Sequence, residues 1–142
     1  MSEAENKQLL RHIYEQISEG NLKPLVESMA DDIEWTIIGT TGLSGTYRGK
    51  EEVIEGMITP LGARLDGHVK FDFEGFIAEG DEVVMRARGT GRSVTGEPYN
   101  NTYCIVSKIV DAHDGRIDVS SSTAGTRFRV TLPVSSTGGW FK

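Results

Sequence analysis

Apolar residues recur at helical spacing in two stretches near the start of the chain. Residues 4–18 predict an amphipathic helix whose apolar face consists of Leu9, Leu10, Ile13 and Ile17. Gly20 is expected to end this helix, because glycine readily adopts the backbone conformation that follows a last helical turn. Residues 22–30 then predict a short second helix, with Pro24 tolerated in its first turn.

A strand, a loop and a third helix are predicted next. Residues 33–38 alternate in polarity, which predicts a half-buried strand with one face formed by Ile33, Trp35 and Ile37. Residues 39–49 contain four glycines and are predicted to form a loop. Residues 50–62 predict a third helix with an apolar stripe of Val53, Ile54, Met57, Ile58 and Leu61.

From residue 67 onward the apolar period changes to two, which is the period of a β-strand. Residues 68–78, 83–91 and 99–110 predict three strands separated by turns rich in glycine, and a fourth strand follows from residue 116. The order is therefore helix, helix, strand, helix and then an antiparallel meander. This order predicts an α+β fold with helices packed on one face of an antiparallel sheet.

The C-terminal segment, residues 118–142, differs in composition from the rest of the chain because it is rich in Ser, Thr and Gly. Within it, Phe128, Val130 and Leu132 alternate with polar residues, which predicts one extra strand. No repeat or linker divides the sequence. We therefore expect a single domain over residues 1–142 that includes this atypical segment.

The composition fits a globular protein and disfavours two classes of partner. The chain has 142 residues, 37% hydrophobic and 25% charged, with a formal net charge of −6. A protein that binds nucleic acid needs a basic face, and an anionic membrane surface attracts basic segments. No apolar run approaches the roughly 18–20 residues of a membrane span. We expect neither a nucleic-acid nor a membrane partner.

The cysteine and histidine content gives no sign of a disulfide or a metal site. Cys104 is the single cysteine of the sequence, so no intrachain disulfide can form. Together with a polar N-terminus that is unlike a signal peptide, this predicts a cytoplasmic protein. His12, His68 and His113 lack the spacing of metal ligands, so no metal is expected.

Arg86 and Arg88 lie two residues apart in a predicted strand and therefore share one face of it. The apolar residues Val83, Met85 and Ala87 compete with them for the core, and their alternation places the arginines outside. If the arginines instead face a pocket, they need carboxylate partners or an oxygen-bearing ligand. The residue pattern leaves both placements open.

Several stretches form an ordered set of motifs along most of the chain: EGNLKPLVESMADDIEWTI, LSGTYRGKEEVI, AEGDEVVMRARGTG, GEPYNNTYCIV and DGRI. The set resembles the SnoaL-like and ketosteroid-isomerase-like group of the nuclear transport factor 2-like superfamily, which also includes limonene epoxide hydrolase. The resemblance implies a cone-shaped barrel: a curved antiparallel sheet of about five to six strands with three helices on its concave face. It also implies a deep apolar pocket, no cofactor, and a homodimer formed through the outer face of the sheet.

The resemblance carries few catalytic groups over to this chain. The arginine of the epoxide hydrolases falls on Arg86, but the aspartate two residues later falls on Arg88. The general-base aspartate of ketosteroid isomerase falls on Ile37. Without a carboxylate at these positions, no general base is placed to activate water or remove a proton.

The resemblance and the strand alternation together predict a set of pocket residues. Asn101, Tyr103 and Ile105 share one strand face, which we place inward. Arg86 and Tyr103 are the predicted catalytic residues, with Arg86 binding or polarising an oxygen that Tyr103 orients. The predicted ligand-binding residues are Tyr14, Trp35, Arg88 and Asn101.

Three functions remain open from the sequence. The first is a cofactor-free acid–base enzyme, of isomerase, cyclase, dehydratase or hydrolase type, acting on a small hydrophobic substrate. The second is a non-catalytic binder or carrier that uses the same pocket. The third is a dimeric interaction module whose pocket is filled by its own side chains. Fold-level analogy does not decide among them.

Overall fold

The computed structural model describes residues 2–113, 116–120 and 128–131, and it describes the side chains of residues 2–110. The described residues form three helical regions. The first two are α1 (Glu3–Ser18) and α2 (Lys23–Ser28). The third consists of α3 (Lys50–Val53), a π-helical segment (Ile54–Ile58) and α4 (Thr59–Arg64). In the described part of the chain, no helix is long and apolar enough to cross a membrane.

The π-helical segment explains how the third helical region continues past a proline. Thr59 donates its backbone N–H to the carbonyl of Ile54, five residues earlier, which is the π-helical pattern. In a regular α-helix the ring of Pro60 would collide with the carbonyl of Gly56. The wider turn accommodates the proline, and Gly56 lies against the ring of Tyr47.

The strands form one sheet, and the described residues contribute seven of them. Its order is β2-β1-β7-β5-β4-β3, and β6 pairs with β5 beside β7. The bounds are β1 (Glu34–Ile37), β2 (Gly45–Arg48), β3 (Lys70–Glu79), β4 (Glu82–Thr90), β5 (Asn101–His113), β6 (Arg116–Ser120) and β7 (Phe128–Thr131). The predicted α+β fold is confirmed.

Two details of the sheet differ from the prediction. The glycine-rich residues 39–49 are not wholly a loop, because β2 lies within them and pairs antiparallel with β1. The hydroxyls of Thr36 and Thr46 lie 2.9 Å apart across this pair, so the β-forming residues of β2 outweigh the flanking glycines. The sheet is also not entirely antiparallel, since Ile37 of β1 pairs in parallel with Phe128 of β7.

The C-terminal segment supplies part of the sheet. The predicted extra strand is present as β7, which pairs with both β1 and β5. Leu132, predicted to belong to this strand, lies outside the described residues. The single-domain assignment over residues 1–142 stays a prediction.

The helices cover one face of the sheet and form the core with it. On β4, Val83, Met85 and Ala87 are almost fully buried, as their alternation predicts. They pack with Ile13 of α1 and Val53 of α3 in the same core cluster. The intervening residues of β4 therefore lie on the opposite face of the sheet.

Val83→Ala tests this core, with Val94→Ala as a matched control. Val83 is 1% exposed and Val94 is 62% exposed. Removing two buried carbons and leaving a small cavity lowers the free energy of unfolding by roughly 2 kcal/mol. The control changes it by less than about 0.5 kcal/mol. Urea denaturation measures both, and equal losses would contradict the assigned core face.

Candidate functional site

A cavity of about 410 Å³ lies between the helices and the inner face of the sheet. Helices contribute Tyr14, Ile17, Leu25, Met57, Ile58 and Leu61 to its wall. Strands contribute Trp35, Ile37, Phe71, Tyr103 and Ile105. Gly62 of α4 also lines the cavity, and the connecting segments complete it with Gly20, Leu22, Ile38, Thr41, Leu43, Leu65, Gly67, His68, Val69 and Tyr99.

The cavity wall is apolar and almost free of charge. Among its described lining residues there is no aspartate, glutamate, lysine or arginine. Apart from the tyrosines, the titratable residue in the described wall is His68. It is exposed to solvent, and its ring lies next to Gly20. Transferring an unpaired ion into such a space costs several kcal/mol or more. The cavity therefore suits an uncharged molecule.

A cluster of polar groups, formed by Tyr99, Asn101 and Tyr103, lies at one wall of the cavity. Asn101 Nδ2 donates a hydrogen bond of 2.9 Å to Tyr103 Oη. The phenols of Tyr99 and Tyr103 also share a hydrogen bond. Asn101 is 3% exposed, and its Oδ1 has no hydrogen-bond partner among the described groups. We call these three residues the phenol–amide cluster.

Burial keeps the cavity phenols protonated. Desolvation raises the pKa of Tyr14 and raises that of Tyr103 well above the usual value. Desolvation also raises the pKa of Tyr99, although hydrogen bonds from Asn101 and Tyr103 partly oppose the shift. A neutral phenol can both donate and accept a hydrogen bond. These groups therefore act near neutral pH as hydrogen-bonding partners and not as ionised bases.

Aromatic contacts fix the phenols relative to one another. The Tyr14 ring meets Phe71 edge-on, with centroids 5.2 Å apart. Phe71 in turn lies 5.3 Å from the ring of Tyr103. Such contacts are worth about 0.5–1.5 kcal/mol each beyond burial. Phe71 thus links the α1 wall of the cavity to the β5 wall.

The predicted pocket roles of Arg86 and Arg88 are wrong, because both side chains point away from the cavity. The side chains of Arg86 and Arg88 are 56% and 69% exposed. Glu74 forms an ion pair with each of them, with Oε1 4.0 Å from Arg86 Nη2 and Oε2 3.3 Å from Arg88 Nε. The alternation that buries Val83 and Met85 places the arginines on the outer face. The ion pairs with Glu74 are exposed and contribute little stability.

Other predicted site residues do meet at the cavity. Tyr14, Trp35 and Tyr103 line it, and Asn101, which is not a lining residue, is hydrogen-bonded to Tyr103. Their roles stay predictions. Tyr99 was missed by the sequence reasoning, although its spacing of two and four residues from Asn101 and Tyr103 signals a shared face.

The structure offers no metal-binding cluster in the part of the chain that it describes. No group of three or more His, Cys, Asp or Glu residues there is arranged to hold an ion. Cys104 is a free, partly buried thiol on β5, paired across the sheet with Arg86.

The sequence matches a known family over most of its length. The family model for the SnoaL-like domain matches residues 10–119. The chain belongs to the SnoaL-like domain family. No curated protein sequence matches it at a significant level.

Solved structures share the fold of this SnoaL-like protein. An NTF2-like protein of unknown function from Burkholderia pseudomallei is 23% identical, with a TM-score of 0.67 over 94% of this chain and 92% of that one. A putative SnoaL-like polyketide cyclase from Jannaschia is 14% identical, with a TM-score of 0.65 over 96% and 94%. TerC, co-crystallized with polyporic acid, is 21% identical, with a TM-score of 0.64 over 90% and 91%. At these identities the likeness shows the fold alone.

Alkaline titration tests the protonation of the buried phenols. The pKa values of all the tyrosines, Tyr14, Tyr47, Tyr99 and Tyr103, are raised from 10.0. The native SnoaL-like protein should therefore show less than half of its phenolate absorbance at pH 10, whereas the urea-unfolded chain shows about half.

The raised pKa values of the tyrosines also determine how the free energy of unfolding changes with pH. The unfolded chain loses phenolic protons first, so the stabilising contribution is complete below pH 10 and is lost as the pH rises above it. Tyr14→Phe should reduce the decrease in the free energy of unfolding above pH 10, as measured by urea denaturation. Below pH 9 the difference in the free energy of unfolding between Tyr14→Phe and the wild type should not change with pH. A phenolate signal of native Tyr14 at pH 10, detected as a difference between the two proteins, would contradict its burial.

Proposed function

We propose that this SnoaL-like protein binds a small, uncharged and largely apolar molecule in the cavity. The observation that supports the proposal is the wall of the cavity, which combines apolar side chains with phenols and has no carboxylate or cationic group of Asp, Glu, Lys or Arg among its described residues. A volume of about 410 Å³ falls within the range of small-molecule sites.

Tyr103 is proposed to hydrogen-bond an oxygen of the ligand, supported by Asn101 and Tyr99. Because Tyr103 Oη accepts a hydrogen bond from Asn101, its own O–H can be directed to Tyr99 or to a ligand oxygen. Trp35 is proposed to pack against the apolar body of the ligand, and Tyr14 to form the facing wall. An apolar pocket with a few convergent polar groups is typical of sites that fix ligand orientation.

Binding or transport is favoured over hydrolysis by the chemistry of the described wall. Activation of water requires a general base within hydrogen-bond reach, and the described wall has no carboxylate, while its imidazole, His68, is exposed to solvent. Tyr14 and Tyr103 stay protonated because burial raises their pKa values. A self-filled interaction module is disfavoured because the cavity is open space and not packed side chains.

A second candidate function is supported by the same phenol–amide cluster. Hydrogen bonds to a carbonyl oxygen polarise it, and oriented donors in a water-poor site are effective at this. Such a site can assist an isomerisation or cyclisation of a substrate that is itself acidic at carbon. TerC, co-crystallized with polyporic acid, and the putative polyketide cyclase from Jannaschia share this fold, which agrees with an organic ligand.

A matched set of probes tests the proposed site: fluorene, fluorenone and fluorenecarboxylate. The chain has two tryptophans, so Trp140→Phe leaves Trp35 as the fluorescent reporter in the cavity wall. We expect fluorene and fluorenone to quench Trp35 and the carboxylate to bind far more weakly. One hydrogen bond should make fluorenone about threefold to tenfold tighter than fluorene.

Tyr103→Phe is the decisive variant for the role of the phenol. It should bring the dissociation constants of fluorenone and fluorene together, whereas Thr41→Val, at another part of the wall, should keep them apart. Preferred binding of the carboxylate would overturn the proposed uncharged ligand. Unchanged preference for fluorenone in Tyr103→Phe would remove Tyr103 from the site.

A homodimer through the outer face of the sheet is also proposed. Strand register places Ile77, Val84 and Val106 side by side on the face that bears Arg86. Ile77 is 60% exposed, and the neighbouring arginines and carboxylates offer charges of both signs to a second copy. A two-fold contact requires a surface that complements itself in this way.

Ile77→Glu tests the dimer by sedimentation. The wild-type chain should sediment at twice the mass of one chain, and Ile77→Glu should sediment as a monomer because it introduces charge into the apolar row. Val94→Glu, at an exposed valine away from the row, serves as the control. A monomeric wild type would contradict the dimer without affecting the cavity.

A further inference from the structure

Gly89 occupies a position on β4 where a larger residue would collide with Tyr103. It pairs across the sheet with Asn101, and its neighbour Ala87 pairs with Tyr103. A Cβ atom at Gly89 would overlap Tyr103 Cε2 and would lie 3.3 Å from Tyr103 Cδ2. It would also lie 3.0 Å from Val69 Cγ1. The space that a side chain of residue 89 would need is therefore already occupied by Tyr103 and Val69.

This requirement concerns space and not backbone conformation. The φ angle of Gly89 lies outside the left-handed region that favours glycine, so alanine can adopt the same backbone. Gly75 on β3 provides the contrast, since a Cβ atom there would meet nothing within 4 Å. Both glycines are strand residues, but one of them lies under an aromatic ring.

We propose that Gly89 is a positioning residue for Tyr103. Because Gly89 has no side chain, it leaves a notch in β4 in which the Tyr103 ring packs. This packing holds the Tyr103 hydroxyl in hydrogen-bond contact with Asn101 and directs it toward the cavity. This inference rests on the proposed function in so far as Tyr103 contacts the ligand. Side chains on neighbouring antiparallel strands reach their diagonal partners, and an aromatic ring is long enough to do so. Tyr103 extends in this way from its direct partner Ala87 across Gly89.

The notch also fixes the far end of the ring. The hydrogen bond of 2.9 Å from Asn101 Nδ2 to Tyr103 Oη requires the phenol to lie along the strand. Val69 Cγ1 borders the same space, 3.0 Å from where a Cβ atom of residue 89 would lie. A Cβ atom at position 89 would displace the ring from the orientation in which its hydroxyl accepts from Asn101 and in which it lines the cavity.

A thermal-stability cycle tests the contact without any ligand. Gly89→Ala should lower the Tm by about 3–6 °C in the wild-type background. In the Tyr103→Ala background the same change should leave the Tm equal or raise it, because the ring is gone and alanine suits a strand better than glycine. Gly75→Ala is the matched control and should not lower the Tm in either background. If Gly89→Ala alone fails to fold, Gly89→Ala/Tyr103→Ala should restore folding.

A binding cycle tests the positioning role. In Trp140→Phe protein, Gly89→Ala should reduce the threefold to tenfold preference for fluorenone over fluorene to near unity, as Tyr103→Phe does. The double variant Gly89→Ala/Tyr103→Phe should show no further loss of preference. Gly75→Ala should keep the full preference, which separates positioning from a general loss of stability.

The two cycles distinguish failure of the inference from failure of the proposed function. Equal Tm losses for Gly89→Ala with and without the Tyr103 ring would overturn the notch. A preserved preference for fluorenone in Gly89→Ala would overturn the positioning role. If no probe binds the wild-type protein while the Tm cycle gives the expected reversal, the ligand proposal and the positioning role fail together, and the steric contact stands.

Discussion

The two-residue alternation of β4 is the constraint on which the cavity depends. On its inner side the strand presents Val83, Met85, Ala87 and Gly89, and on its outer side Arg86 and Arg88. The alternation thus keeps two cations out of the interior, and after Met85 the inner side chains become smaller, to Ala87 and then Gly89. The smallest of these inner positions, Gly89, is where the Tyr103 ring crosses the strand. Charge exclusion and the placement of a phenol are therefore consequences of the same register.

The sequence was sufficient for those features that depend on local periodicity. The apolar stripe of α1 and the alternation of β4 each follow one period over several residues, so the elements and their buried faces could be predicted. The resemblance predicted that Arg86 faces a pocket, and this prediction was wrong. An aligned position does not determine which face of a strand a residue lies on when the local alternation of polar and apolar residues indicates the opposite face. Gly89 carried no recognisable signal, since its role depends on the ring of Tyr103, which approaches it only across the sheet. The strand β2 was not predicted because glycines at both of its ends, Gly45 and Gly49, indicated a loop. The residues between them pair with β1, as the contact between the Thr36 and Thr46 hydroxyls shows.

The chemistry of the cavity follows from the absence of Asp, Glu, Lys and Arg side chains among its described lining residues. In an apolar space a hydrogen bond from a neutral phenol is stronger than in water, but an unpaired polar atom is also more costly. Asn101 Oδ1 is such an atom, buried beside the hydrogen bond that its own amide nitrogen makes to Tyr103. In the proposed binding mode, the phenol–amide cluster meets a polar group of the ligand and the rest of the wall meets its apolar surface. This division explains why orientation of a ligand, and not ionisation of a residue, is the property that the site supports best.

The C-terminal segment enters this arrangement through its backbone. The family match ends at residue 119, yet β7 lies beyond it and stands between β1 and β5 in the sheet. Trp35 is on β1 and Tyr103 is on β5, so the separation of these two cavity residues depends on the strand placed between them. Strand pairing uses N–H and C=O groups that almost every residue possesses. The backbone of a segment of unusual composition can therefore complete the sheet between the strands that carry Trp35 and Tyr103.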